Sequence, residues 1–237
     1  MTSLLIEDVF EINRRTCVSL WHMVNAEGTP RGLSPRLVAP RKRDGNVRVS
    51  EQEARFLYCD VLNTLGYYYS VETPTQETYR QTGEGYRSAS SDLTLYWMQA
   101  DRLEKIFNME FKANMPPQAH IDKDMEKLVR EQVPGGWFHL LKNANSRTLT
   151  LLFQKMANAL LQYAERPDDA GTLSLVFSFC VLETSWACMK HFRYEPRMGD
   201  FQAYVKRFFD LEYRVRGGRI EVDEANGWHI INPVGTE

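Results

Sequence analysis

The stretch SSDLTLYWMQADRLEKIFNMEFKAN, residues 90–114, decides the fold. Leu93-Thr94-Leu95-Tyr96-Trp97 and the run from Ile106 to Ala113 are apolar segments of strand length. Each carries charge. Asp92 opens the first, and Glu110 and Lys112 interrupt the second. Burying a charge is costly unless it is paired or holds a metal. Side chains alternate along a strand, so Glu110 and Lys112 point to one face. Asp92, on the neighbouring strand, reaches that face if the register allows.

The flanking sequence builds a sheet around this pair. Upstream, Ser50-x-x-Glu53 matches a capping box, Ala54, Leu57, Val61 and Leu65 form a buried helical stripe, and Gly66 ends the helix. Tyr67 to Thr73 reads as a strand stopped by Pro74, and Thr75 to Arg87 as polar and turn-rich. Downstream, Pro116-Pro117 breaks the chain and Ile121 to Gln132 reads as a helix. Trp137 to Lys142 then reads as a strand, Ser146 to Glu165 as a helix, and Leu173 to Leu182 as a strand buried on both faces. Phe201 to Tyr213 is an aromatic-rich helix, and Arg219–Val222 with Trp228–Ile231 predicts a terminal hairpin turning at Asn226-Gly227. At the other end, Ser3 to Asn25 has helical spacing, and Glu27 to Val49 is a loop with three prolines and three glycines. Three parts result: residues 1–49, an N-terminal helix and basic loop; residues 50–185, an α/β core; and residues 186–237, a helix and hairpin extension packed on it.

At 237 residues, with 43% hydrophobic and 25% charged, the chain suits one large globular domain with appendages. No apolar run approaches the roughly 18 residues that span a membrane. The start, MTSLLIEDVFEINRR, carries acids where a signal peptide carries positive charge, so a cytoplasmic protein is expected. Cys17, Cys59, Cys180 and Cys188 lack zinc-ligand spacing and read as reduced core cysteines. Net charge is −2, without the basic excess of a free-standing nucleic-acid binder. Basic residues nevertheless cluster at Arg31, Arg36, Arg41, Lys42, Arg43 and Arg48, and again between Lys190 and Arg219. Either cluster is a phosphate contact or ordinary solvated surface.

The order α-β-β-β-α-β, with Asp92 on the second strand and Glu110-Phe111-Lys112 on the third, resembles the PD-(D/E)xK nuclease superfamily. The resemblance covers roughly Ser50 to Gln132 and departs where Ser91 replaces the proline before the aspartate. It implies a restriction-endonuclease-like mixed sheet flanked by helices, with an extra N-terminal helix and C-terminal additions. It also implies hydrolysis of phosphodiester bonds, in DNA rather than RNA by preference, with endonuclease favoured over exonuclease. The superfamily serves restriction, anti-phage defence and repair, and two-strand cleavage calls for a homodimer or a larger assembly.

The implied site is Asp92 and Glu110 holding Mg²⁺, or Mn²⁺ in its place, through hard oxygens, with the Phe111 carbonyl as a further ligand. Lys112 orients or helps to deprotonate the attacking water. Glu53 is a further candidate, with Glu51 and Glu72 competing for its role. Arg41, Lys42, Arg43 and Lys123 are candidate phosphate contacts. The competing readings are an edge-strand Glu110–Lys112 pair, a turn-ending Asp92 and a merely capping Glu53. A non-catalytic nucleic-acid-binding or assembly subunit of the same fold is the alternative function. A helical interaction protein, built on Ser3–Asn25 and Phe201–Tyr213, is a third.

Overall fold

The computed structural model describes residues 2–25, 37–81, 84–131, 133–163, 171–209, 213–216, 219–222 and 227–232. The order of elements follows from where apolar residues recur. α1 (Thr2–Asn25) buries Val9, Ile12, Cys17, Leu20, Trp21 and Val24 along one side. α2 (Glu51–Leu65) starts where the Ser50 hydroxyl accepts the Gln52 N–H, and ends at Gly66 with φ 78°. That left-handed conformation suits glycine, which has no Cβ to clash.

β1 (Tyr68–Gln81) and β2 (Glu84–Gln99) form a long antiparallel hairpin. This corrects the expectation that Pro74 stops the first strand and that Thr75 to Arg87 is a turn. Pro74 pairs with Ser90, and a register shift between Pro74 and Thr78 absorbs the irregularity. β1 is the outermost strand of the sheet, a position where proline is tolerated because one side of the strand needs no partner.

β3 (Arg102–Ala113) pairs antiparallel with β2. α3 (Gln118–Arg130) follows the Pro116-Pro117 break, and β4 (Gly135–Leu141) returns parallel to β3. α4 (Ser146–Leu161) is capped by the Asn145 side chain on Thr148 N and leads to β5 (Leu173–Val181), parallel to β4. Every residue of β4 and β5 is buried, so both lie between helical layers.

The remainder departs from expectation. β6 (Trp186–Tyr194) is an unforeseen strand, antiparallel to β5. α5 (Phe201–Phe209) is the expected helix, ending sooner. Arg219–Val222 does not pair with the last strand. It is β8, and it forms a separate ribbon with β7 (Tyr213–Arg216). β9 (His229–Ile231) instead pairs with β6 in the main sheet. Asn226, the expected turn residue, lies outside the described residues. The expected C-terminal extension therefore contributes two strands to the sheet itself.

The main sheet runs β1-β2-β3-β4-β5-β6-β9. One apolar core lies between the sheet and α1 and α2, with Leu93, Leu95, Phe107, Met109, Phe111 and Phe138 facing it. The other lies beneath α3, α4 and α5, with Trp137, Phe177, Phe179 and Phe192 facing it. Trp228, just before β9, closes this second core, stacking on Phe153 with centroids 5.4 Å apart. The result is a mixed α/β layout, a sheet between two helical layers. No helix among the described residues is long and apolar enough to cross a membrane.

Candidate active site on β2, β3 and α3

The site begins where two strands part. The β2–β3 ladder runs from Gln99 opposite Arg102 as far as Leu93 opposite Met109 and stops there. β2 continues alongside β1 through Ser91 and Ser90. In place of the next ladder bond, Asp92 Oδ2 accepts the Phe111 N–H at 2.7 Å. Met109 and Phe111 belong to the core beneath α1 and α2. By alternation, Glu110 and Lys112 face the α3 layer, and one further step of the register sets Asp92 opposite Glu110. The sequence-derived trio is thus brought to one notch.

α3 closes over that notch. Asp124 and Lys127, three residues apart on one helical face, reach down to the sheet. Lys127 Nζ donates to Glu110 Oε2 at 2.6 Å, to Asp124 Oδ1 at 2.9 Å and to the Ser90 carbonyl at 3.0 Å. Lys112 Nζ lies 2.7 Å from Asp124 Oδ2 and donates to the Phe111 carbonyl at 3.1 Å. On the other flank, Arg55 of α2 bridges Asp92 Oδ1, at 2.8 Å, and Glu72.

Glu51, not Glu53, is the α2 acid shown to reach β3: its carboxylate accepts the Ala113 N–H at 3.3 Å. The capping box expected of Glu53 is not completed. The Ser50 half is present, whereas Glu53 Oε2 is buried with no hydrogen-bond partner. Lys123 is exposed on α3, and Gln118 of the same helix is tied to Asp122 and to the Lys155 carbonyl.

The electrostatics follow from this crowding. Burial pushes the Glu110 carboxyl well above its usual range, the nearby Lys127 opposes the shift, and Asp92 and Asp124 add to it. Burial alone would raise Asp124 too, but Lys127 and Lys112 outweigh it and hold that carboxyl below its ordinary value. Burial works against the Lys112 ammonium, yet Asp124, Asp92 and Glu51 together raise its pKa. Lys112 is therefore a firmly protonated cation. Five carboxylates (Glu51, Glu72, Asp92, Glu110 and Asp124) meet three cations (Arg55, Lys112 and Lys127). Carboxyl groups thus outnumber cations around the notch by two.

Among the described residues, no three His, Cys, Asp or Glu side chains are grouped as a ready-made metal cluster. The carboxylates are engaged by ammonium and guanidinium groups instead. The donor chemistry still suits a hard cation: Asp92, Glu110 and the Phe111 carbonyl offer only oxygen. Glu110 Oε1 is moreover fully buried with no hydrogen-bond partner, an acceptor whose bonding capacity is unused.

One neighbour fixes how the chain leaves this notch. His139 on β4 lies beside Lys112 in the parallel ladder. Trp137 Nε1 donates to His139 Nδ1 at 3.2 Å, so the ring proton sits on Nε2 and is donated to the Asn114 carbonyl at 2.6 Å. Asn114 has φ 61°, left-handed for a residue with a side chain. Burial lowers the His139 pKa to about 4. The unfolded chain takes up this proton first, near its ordinary value of about 6.5, so stability present above that pH is lost as pH falls toward 4. The full loss is about 3 kcal/mol. Urea unfolding at pH 7 and pH 4.5 is expected to show it, and His139→Gln should flatten the difference. Equal slopes in both proteins would remove His139 as the cause.

The basic turn Arg41-Lys42-Arg43 is exposed and sits at this end of the sheet. Arg41 donates to the Val24 carbonyl at the end of α1, and Lys142, one residue past β4, donates to Asn46. The second basic stretch, from Lys190, falls partly on β6, where Lys190 lies over the Phe208 ring and donates to the Phe208 carbonyl. Comparison with family models, curated proteins and solved structures finds no match to this chain, so function has to be argued from the site's own chemistry.

Proposed function

We propose that this protein is a divalent-metal-dependent phosphodiesterase acting on DNA, with the restriction-endonuclease-like arrangement of Asp92, Glu110 and Lys112. The observation that carries the reading is the unpartnered, buried Oε1 of Glu110, beside Asp92 and the Phe111 carbonyl. Asp92 and Glu110 would hold the ion, with the Phe111 carbonyl beside them. A Mg²⁺ or Mn²⁺ ion bound there supplies positive charge against the phosphate oxygens and acidifies a water for attack.

The chain's own groups do the rest. Lys112, held by Asp124, serves as a hydrogen-bond donor to the phosphate and the developing negative charge. Asp92 fixes the Phe111 N–H and so sets how far β2 and β3 part. Arg55 orients Asp92 through its contact with Oδ1. Arg41, Lys42 and Arg43 would grip the backbone of the nucleic acid from the same end of the sheet. Cutting both strands of a duplex would bring in a second copy of the chain.

One observation favours a second reading, a non-catalytic binding or assembly subunit: Lys127 and Lys112 already engage the acids of the notch. Purified protein incubated with plasmid, linear duplex, single-stranded DNA and RNA separates the two. The enzyme is expected to nick or cut DNA with Mg²⁺ or Mn²⁺ and to be silent with EDTA. Binding of DNA without cleavage under any metal would leave the second reading standing alone.

A further inference from the structure

The Lys127 ammonium is surrounded by oxygen. An ammonium has three N–H donors and no acceptor, and all three donors are used. The acceptors come from three elements: Glu110 on β3, Asp124 on α3 and the Ser90 carbonyl on β2. They are hard oxygens, two of them anionic, the donor class that Mg²⁺ and related cations select. The Lys127 side chain is almost wholly buried, and the free Oε1 of Glu110 belongs to the same carboxylate that Lys127 holds. This is a cation site occupied by the protein's own side chain.

We propose that Lys127 is the built-in counter-cation of this pocket, and that a divalent ion and Lys127 compete for Glu110, so that metal entry expels the lysine. The inference rests on the reading of Glu110 as a metal ligand. An ammonium and a dication on one carboxylate repel strongly in a partly buried site. Lysine carries its charge on a long flexible stem and can withdraw toward solvent without moving α3. Asp124, relieved of Lys127, keeps its contact with Lys112 and becomes the residue that positions that ammonium. In the metal-free protein Lys127 is thereby held on Glu110 and Asp124, and metal entry releases it.

Acylation of lysine amines in the wild-type protein, read by mass spectrometry with Mn²⁺ or with EDTA, tests this directly. Lys127 is expected to be protected with EDTA and to react severalfold faster with Mn²⁺. Lys105, held by Glu131 away from the notch, serves as the unchanged control. Calorimetric titration at pH 8 is the second arm. Lys127→Ala is expected to bind Mn²⁺ about tenfold more tightly than wild type, a change of about 1.4 kcal/mol. Should that variant fail to fold, Lys127→Met takes its place. Mn²⁺ binding to wild type with Lys127 still protected would overturn the exchange and leave the metal reading intact. Absence of Mn²⁺ binding in wild type and variant alike would overturn both.

Discussion

Lys112→Ala is expected to lower DNA cleavage by about a hundredfold or more, the effect of removing about 3 kcal/mol of transition-state stabilisation. The fold should survive. Lys112 lies near the end of β3, is partly exposed, and leaves behind an Asp124 that still has Lys127. Mn²⁺ should still bind, since a cation rather than a ligand has been removed. Asp92→Ala is expected to fail differently. It deletes a carboxylate, frees the Phe111 N–H and leaves Arg55 with Glu72 alone, so metal affinity should fall together with activity. Plasmid nicking and calorimetric Mn²⁺ titration on both variants distinguish these outcomes. Cleavage by Lys112→Ala at the wild-type rate would reduce the lysine to a structural charge and would falsify its catalytic role.

Trp228→Ala should cost about 3–5 kcal/mol of stability, the usual range for emptying a large aromatic from a core. Trp228 stacks on Phe153 of α4 and meets Phe179 of β5 and Phe208 of α5. It brings the segment before β9 against all three. Its indole N–H is buried without a hydrogen-bond partner, so the cost comes from lost packing and not from a lost hydrogen bond. Trp228→Phe keeps much of the ring area and removes the unpartnered donor, so it should lose far less. The midpoint of urea unfolding reads both. A loss below about 1 kcal/mol for Trp228→Ala would show that this core closes without the segment before β9.

The centre of the fold was legible because its patterns are strong. The β4 and β5 runs are short, continuous and almost wholly apolar, and Ser50, Gly66 and the Pro116-Pro117 break mark helix ends chemically. The extension of β1 beyond Pro74 was hidden because proline and a polar run signal a turn, whereas an edge strand tolerates both. β6 was hidden because Lys190, His191 and Arg193 look like surface. Lys190 is in fact covered by Phe208 and Trp228.

At the site, Asp92, Glu110 and Lys112 were legible as charges inside apolar runs. Asp124 and Lys127 were not, although a signal was there. Ile121, Asp124, Met125 and Leu128 have the spacing of one helical face, and an acid within an otherwise apolar stripe is destined for burial. What no local pattern supplies is the partner: Lys127 meets Glu110 only because the chain crosses from β3 to β4 over that face of the sheet.

β1 has a consequence for how copies of the chain meet in concentrated solution. An outermost strand is an open template onto which a foreign strand can zip, the first step toward fibrils. Here the template is interrupted in its middle, between Glu72 and Thr78. Glu72 is turned to φ 49° and carries a largely exposed charge, Pro74 has no N–H to offer, and the strand shifts register directly afterwards. The N–H of Gln76 is already taken by Glu131. The opposite border, β9, is three residues long. The irregularities that disguise this strand in the sequence are the same ones that work against a further strand adding to this edge.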